Sequence, residues 1–122
     1  MTEKELKTRT KQFALRIMKL VSSLPKTPEG RAIGGQLVRA GTSVGANYRA
    51  ACRSRSRAEF AARIAVMEEE ADESGYWMEL LIEGGLMAAN LVAPLLKESG
   101  ELTAIASASR RSAKSKKSEV DS

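Results

Sequence analysis

One stretch, from Gly34 to Trp77, constrains the fold more than any other part of the chain. It reads GGQLVRAGTSVGANYRAACRSRSRAEFAARIAVMEEEADESGYW. Small residues and polar residues recur in it at helical spacing, and it also contains a cluster of arginines. This pattern favours a packed helical bundle with a basic surface over a catalytic pocket. No reaction is indicated by these residues.

The composition agrees with one helical domain. The chain has 122 residues, which is enough for a single modest core. Hydrophobic residues make up 43% of it but aromatic residues only 4%, so aliphatic side chains must fill that core. A single cysteine excludes an internal disulfide. The N-terminus is charged and no apolar run approaches the roughly 20 residues of a membrane span, so we expect a cytoplasmic protein.

Hydrophobic periodicity and helix-stop signals predict four helices. The expected ranges are Glu3 to Ser23, Pro28 to Arg53, Ser56 to Gly84 and Asn90 to Arg110. The third helix opens with a capping box, in which Ser56 and Glu59 satisfy each other's backbone donors. Short connections predict an all-α, up-and-down antiparallel four-helix bundle over residues 1–109. Residues 110–122 are polar and basic without an apolar period, which predicts a disordered tail.

The glycines of the second helix weaken this prediction locally. Each of Gly34, Gly35, Gly41 and Gly45 costs up to about 1 kcal/mol of helix propensity relative to alanine. We therefore expect a neighbouring helix to approach closely there and compensate for that cost.

A polar stripe lies beside the apolar side of the second helix, with two carboxylates on the third helix at a matching position. Half-buried arginine and asparagine side chains need charged or hydrogen-bonding partners. We therefore predict a structural polar network that comprises Arg39, Ser43, Asn47, Glu70 and Glu73, with Gln36 on the same stripe. A paired-iron site would need Glu-x-x-His motifs, and the chain has no histidine. We expect no metal site and no cofactor.

The absence of histidine also bears on catalysis, since it removes the commonest general base and the usual partner of a serine or cysteine nucleophile. We expect a non-enzymatic protein. An enzyme would have to use carboxylates such as Glu70 and Glu73 in a cleft. Cys52 has two interpretations: a thiolate activated by nearby cations, or a small packing residue.

Charge is divided unevenly along the chain. Residues 1–63 hold fourteen Lys or Arg against four Asp or Glu, a net charge of +10. Residues 64–109 hold one against nine, a net charge of −8, and residues 110–122 hold five against two, a net charge of +3. Such segregation steers a polyanion towards one part of a protein, or pairs helices and subunits with each other.

Arginines cluster at the connection between the second and third helices. The candidate nucleic-acid contacts are Arg49, Arg53, Arg55, Arg57 and Arg63, with Lys11 and Arg16 from the first helix. Guanidinium groups contact phosphates, and the scarcity of accessible aromatic residues favours backbone contacts over base-specific contacts with RNA or DNA.

The alternative function is a protein–protein interaction or scaffolding module. In it the same arginines bind a protein partner or pair with an acidic stripe, within a subunit or between subunits. That stripe comprises Glu69, Asp72, Glu79 and Glu83.

Three segments carry a resemblance to a known family: QLVRAGTSVGANYRAA, SRAEF and EEEADESGYWMELL. They resemble the bacterial four-helix-bundle proteins of the ribosomal intervening-sequence family, once labelled S23 ribosomal proteins. The resemblance spans about Phe13 to Ile105. It is most specific at Arg39, Ser43, Asn47, Glu70, Glu73, Tyr76 and Trp77.

The resemblance implies a four-helix bundle without enzymatic activity. By similarity to the accessory variability protein of diversity-generating retroelements, it also implies a homopentameric ring whose basic surface binds nucleic acid and a reverse transcriptase. One position departs from the family pattern. Many members carry a glutamate where this chain has Ala50, which implies a smaller polar network.

Overall fold

Four helices account for nearly the whole chain. The computed structural model describes the backbone of residues 1–121 and the side chains of residues 1–113. Its helices are α1 (Glu3–Ser22), α2 (Pro28–Cys52), α3 (Arg57–Glu83) and α4 (Ala89–Asp121), and these described residues include no strand. Each helix packs against the next in the chain, and α1 also contacts α4. The predicted four-helix bundle is confirmed.

The first three helices begin and end within one residue of the positions that the sequence signals predict. Thr2, Thr27 and Ser56 each cap a helix by accepting a hydrogen bond from the backbone N–H three residues later. Glu59 reaches back as a capping-box glutamate does, but it accepts from the N–H of Arg55 at 3.1 Å. The turn after α3 contains Gly85 at a φ of 72°, a conformation that suits glycine.

The core runs along the bundle axis and is aliphatic apart from Phe13 and Tyr48. Its largest fully buried side chains are Phe13, Ile17, Leu37, Ile64, Met67, Met78, Leu81 and Leu102. Three serine and threonine residues are also buried, and each donates to a carbonyl of its own helix: Thr10, Ser74 and Ser99. Their polar atoms are therefore satisfied without breaking the core.

Close helix approach explains three of the α2 glycines. A Cβ on Gly41 would lie 2.2 Å from Ile17 Cδ1, and one on Gly45 would lie 3.0 Å from Thr10 Oγ1. Gly34 is similarly close to Val21, whereas Gly35 faces open space. The expected compensation by a neighbouring helix is therefore present at three of the four positions, where α1 is that neighbour.

The C-terminal part differs from the predicted disordered tail. The α4 helix continues past Ser109 to Asp121. Arg110 Nε donates to Glu68 Oε1 of α3 at 2.8 Å, so residue 110 packs with the bundle. No local sequence pattern could have predicted this ion pair, because its two residues are 42 positions apart. The side chains of residues 114–122 lie outside the described residues, and the separate tail domain stays a prediction.

None of the helices over the described residues has a segment long and apolar enough to cross a membrane.

Candidate nucleic-acid interface

The antiparallel topology brings three basic segments to one end of the bundle. These are the start of α1, the connection between α2 and α3, and the C-terminal part of α4. Residues 1–11, 49–63 and 106–113 together hold eleven Lys or Arg and three Glu, and we call this region the basic end. Residues 12–48 and 64–105 hold six Lys or Arg against ten Asp or Glu.

A shallow groove of about 200 Å³ between α1 and α2 lies at the basic end. Lys7, Lys11 and Arg49 line it, above the close contact between Thr10 and Gly45. Lys7 pairs with Glu3 at 3.3 Å. Lys11 and Arg49 are exposed and form no ion pair with any side chain of residues 1–113. The structure therefore brings together two predicted contacts from different helices.

The α2–α3 connection is fixed by its backbone and leaves its guanidinium groups exposed. The N–H of Arg53 reaches the carbonyls of Ala50 and Ala51 at the end of α2. Arg57 is the first residue of α3. Arg53, Arg55 and Arg57 are all exposed, and within residues 1–113 no carboxylate pairs with them. Three cationic side chains thus extend into solvent from a connection whose backbone is hydrogen-bonded to the end of α2.

A second groove at the basic end lies between α3 and α4 and measures about 310 Å³. Arg57 and Arg110 line it together with small side chains, namely Ala58, Ala61, Ala62, Ala65 and Ala113. Apart from the two arginines, the residues that line it are uncharged.

Two predicted contacts lie away from this cluster. Arg63 is exposed and precedes Glu70 by seven residues, which places it on the side of α3 that faces α2. Arg16 lines a groove between α1 and α4 with Lys19, further from the basic end. Five of the seven predicted residues thus line the α1–α2 groove or stand on the α2–α3 connection, whereas Arg63, at the limit of the basic end, lies on the side of α3 that faces α2. Arg16 does not belong to the basic end.

The predicted polar network joins α2 to α3 through Arg39. Its Nη1 donates to Glu70 Oε2 at 3.1 Å, and its Nη2 donates to Glu73. Gln36 accepts from Arg39 Nε at 3.3 Å, and Trp77 Nε1 donates to Glu73 at 3.0 Å. Gln36 lies three residues before Arg39, and Trp77 lies four residues after Glu73. This helical spacing is the sequence signal that places Gln36 and Trp77 next to the network.

Ser43 and Asn47 are not members of that network. Ser43 Oγ donates to the Arg39 carbonyl at 2.6 Å, and Asn47 Nδ2 donates to the Ser43 carbonyl at 2.8 Å. Both side chains bond to a carbonyl of their own helix one turn earlier, as serine and asparagine side chains within helices commonly do. The prediction that these two residues share the network is therefore not supported by the geometry.

A second interhelical ion-pair cluster was not predicted. Arg9 donates to Glu98 through Nε and Nη2, both at 2.7 Å, and also to Glu101 at 2.7 Å. The hydrogen bond from Arg9 lowers the pKa of the Glu98 carboxyl, despite its partial burial. This cluster links α1 to α4, and because Arg9 is paired with carboxylates it is not available to bind phosphate. No local pattern marks a pairing across 89 positions.

The acidic stripe does not meet the arginines within one chain. Asp72 and Glu79 line a groove of about 460 Å³ between α3 and α4, beside Tyr76. Among residues 1–113, no ion pair joins this stripe to the arginine cluster. The alternative of intramolecular neutralisation therefore lacks support.

Two possible catalytic features are an activated Cys52 thiolate and a metal site. Burial raises the pKa of the Cys52 thiol, which argues against the activated thiolate and for the packing role. Among the described residues, no group of three or more acidic, cysteine or histidine side chains is placed to hold a metal ion.

Comparison with known proteins agrees with this architecture. Residues 3–116 match the family model of the 23S rRNA-intervening sequence protein. The fold is similar to a crystal structure from Bacteroides thetaiotaomicron VPI-5482, a protein with unknown function from the S23 ribosomal protein family. The TM-score is 0.81 at 29% sequence identity, over 91% of this chain and 99% of that chain. No curated protein matches the sequence.

Proposed function

The chain belongs to the 23S rRNA-intervening sequence protein family, and we propose that it is a non-enzymatic, oligomeric protein that binds RNA or DNA phosphates at its basic end. The observation that carries the proposal is the convergence of three basic segments at one end of the bundle. These three segments hold eleven cationic side chains and three glutamates. Two of the cations, Arg9 and Arg110, are paired with glutamates from other parts of the chain, and most of the others have no carboxylate partner among residues 1–113. Phosphate binding by such a surface gains free energy from the release of condensed counterions.

Accessibility of the cations supports the same proposal. Arg53, Arg55 and Arg57 stand on a backbone-fixed turn without carboxylate partners in residues 1–113. The hydrogen-bonded turn fixes the backbone from which the three side chains extend, so phosphate binding has to order only the side chains. The grooves on either side extend the surface through Lys11, Arg49 and Arg110.

The lining of these grooves favours contacts to the nucleic-acid backbone. Neither the α1–α2 groove nor the alanine-lined groove contains an aromatic side chain on which a base would stack. Phe60 lines a third groove beside Arg57, but its ring is partly buried. The exposed Tyr76 lies among carboxylates that repel phosphate. Recognition of shape and charge, with little dependence on sequence, follows from this arrangement.

Three further parts of the proposal concern catalysis, assembly and location. The lack of histidine supports a non-enzymatic role. The resemblance to the retroelement accessory protein supports a homopentamer that works with a reverse transcriptase. A single free cysteine, away from any disulfide, is consistent with the cytoplasm.

A pair of matched triple variants tests the site. Arg53→Gln, Arg55→Gln and Arg57→Gln together remove three charges from the basic end. Lys26→Gln, Arg31→Gln and Lys97→Gln remove three charges elsewhere, so both variants have the same net charge. Fluorescence anisotropy with a structured RNA at low salt should show at least about tenfold weaker binding for the first variant and little change for the second.

The possible results separate the two functional classes. Equal weakening in both variants would mean that net charge alone matters and would remove the basic end from the proposal. Absence of binding by the native chain to any RNA or DNA at low salt would favour the interaction-module alternative, in which the arginines serve a protein partner.

A further inference from the structure

The connection between α2 and α3 contains a buried hydroxyl group that no other group within residues 1–113 satisfies. Ser54 lies in this connection between Arg53 and Arg55. Among the described side chains, its Oγ is the one buried oxygen or nitrogen atom without a hydrogen-bond partner. Buried hydroxyl groups in folded proteins nearly always have a partner, as those of Thr10 and Ser74 do. The hydrogen-bonding capacity of the Ser54 side chain is therefore unused.

The backbone around Ser54 is already hydrogen-bonded. The Ser54 N–H donates to the Ala51 carbonyl at 3.0 Å. Ser56 Oγ accepts from the Glu59 N–H at 3.0 Å, and the Glu59 carboxylate accepts from the Arg55 N–H at 3.1 Å. A rearrangement of the connection would break these bonds, so a partner for the Ser54 hydroxyl has to come from outside it.

An unpaired buried hydroxyl group destabilises a folded protein, because it has lost its hydrogen bonds to water and gained none in return. Alanine at position 54 would avoid this penalty. Native structures contain few such groups, and unfavourable local arrangements of this kind are concentrated at functional sites. The unpaired hydroxyl of Ser54 thus points to a ligand.

The neighbours of Ser54 indicate the chemistry of that ligand. Arg53, Arg55 and Arg57 are exposed, and none of them pairs with a carboxylate among residues 1–113. Guanidinium and hydroxyl groups both donate to phosphate oxygens, and serine is a common phosphate contact in nucleic-acid complexes. The connection therefore combines free cations with a free neutral donor.

The hydroxyl reaches the surface by rotation about a single bond. Ser54 as a whole is partly exposed, although its Oγ is buried. A serine side chain moves between staggered χ1 rotamers without a change of the backbone. Because Oγ has no partner among residues 1–113 in its buried position, rotation towards a phosphate breaks no hydrogen bond within that part of the chain.

We propose that the Ser54 hydroxyl donates a hydrogen bond to a nucleic-acid phosphate that Arg53 and Arg55 attract. This inference rests on the proposed function and adds a neutral contact to its cationic surface. Attraction by a guanidinium group acts over several ångströms, whereas a hydroxyl donates only at short range and along one direction. Ser54 therefore fixes the position of the phosphate, and the arginines supply the charge.

Ser54→Ala separates the neutral contact from the charges. Fluorescence anisotropy with a structured RNA should show binding weaker by about three- to tenfold, the effect of one lost hydrogen bond. The dependence of the binding constant on salt should keep its native slope, because no charge is removed. Arg55→Gln should instead lower that slope by about 0.7–0.9. Ser54→Thr keeps the hydroxyl and should bind as the native chain does.

Thermal unfolding shows whether Ser54→Ala acts through the fold. Ser54→Ala should melt at the native temperature or above it, because it removes an unpaired group. Ser56→Ala should melt at a lower temperature, because the Ser56 hydroxyl caps α3. Ser43→Ala, a matched control within α2, should bind RNA with native affinity.

The outcomes distinguish this inference from the proposed function. Native affinity in Ser54→Ala would overturn the inference, and a lower slope in Arg55→Gln would then leave the proposed function standing. Weaker binding by Ser54→Ala together with a lower melting temperature would also overturn it, since the hydroxyl would then support the fold. A native chain that binds neither RNA nor DNA at low salt would overturn both.

Discussion

Arg39 Nη1 donates to Glu70 Oε2 at 3.1 Å and thereby links α2 to α3 near the middle of the bundle. Glu73 accepts from the same guanidinium group and from Trp77 Nε1, so the arginine fixes two carboxylates and an indole. Arg39 itself is about half exposed. Solvent therefore weakens the attraction between these charges, and the network stabilises the pair of helices only modestly.

Arg39→Gln is expected to reduce the free energy of unfolding by about 1 kcal/mol, because it leaves two carboxylates without their shared cation. Urea denaturation measures the change. Arg31→Gln on the same helix is the matched control and should have almost no effect. If Arg39→Gln costs as much when Glu70 and Glu73 are already glutamine, the network is not the source of the stability.

Two glycines of α2 are expected to respond in opposite directions to alanine. A Cβ at position 41 would lie 2.2 Å from Ile17 Cδ1 and within 3.3 Å of two further Ile17 carbons. Gly41→Ala should therefore destabilise the protein by about 1–3 kcal/mol. Gly35 has no neighbouring atom within 4 Å of that position, so Gly35→Ala should stabilise it by up to about 1 kcal/mol.

Thermal and urea unfolding followed by circular dichroism compare the two glycine variants directly. A stabilising Gly41→Ala substitution would mean that α1 and α2 are not as close as their contact at Ile17 indicates.

Acid should weaken the link between α1 and α4. The pKa of Glu98 is lowered below its ordinary value of 4.5, chiefly by the hydrogen bond from Arg9. A carboxyl with a lowered folded-state pKa stabilises the protein above its unfolded value, and this contribution disappears as pH falls through the lower folded value. Arg9→Gln should therefore flatten the loss of stability below about pH 4.5, as measured by urea denaturation across acidic pH.

Arg16→Gln provides the control for that titration, because Arg16 acts on Glu98 only at longer range and as the weakest of its influences. An unchanged acid dependence in Arg9→Gln would show that Glu98 does not couple protonation to folding.

The Cys52 thiol is expected to react slowly in the folded protein. Burial raises its pKa, so the reactive thiolate is scarcer than in an unfolded chain at the same pH. Alkylation by iodoacetamide at neutral pH should be slower in the native protein than in urea, and the native rate should rise only under alkaline conditions. Rapid neutral alkylation of the native protein would restore the activated-thiolate interpretation.

The sequence predicts elements whose causes are local. The Ser56 cap and the Pro28 start each depend on residues within one turn, and both lie at the expected positions. The Arg39 link to Glu70 was also predictable. Polar side chains that are half-buried beside the apolar sides of two facing helices need charged or hydrogen-bonding partners.

Features that depend on the global arrangement were not predictable. The Arg9 and Arg110 ion pairs join residues 89 and 42 positions apart, and no pattern in the chain singles out these cations from their neighbours. The same limit explains why Arg16 was wrongly grouped with the other predicted contacts. Arg16 belongs to a basic segment of the sequence, but it lines the groove between α1 and α4. Ser43 and Asn47 show a different limit. Helical spacing correctly places them on the same side of α2 as Arg39, but it does not reveal that their side chains donate to carbonyls of α2 itself.

The salt dependence of RNA binding tests the central claim, that free arginines at the α2–α3 turn neutralise phosphates. The logarithm of the binding constant should fall linearly with the logarithm of salt concentration for the native chain. In the Arg53, Arg55 and Arg57 triple glutamine variant the slope should be smaller by about 2–3, since each phosphate contact contributes about 0.7–0.9. An unchanged slope in that variant would contradict the account.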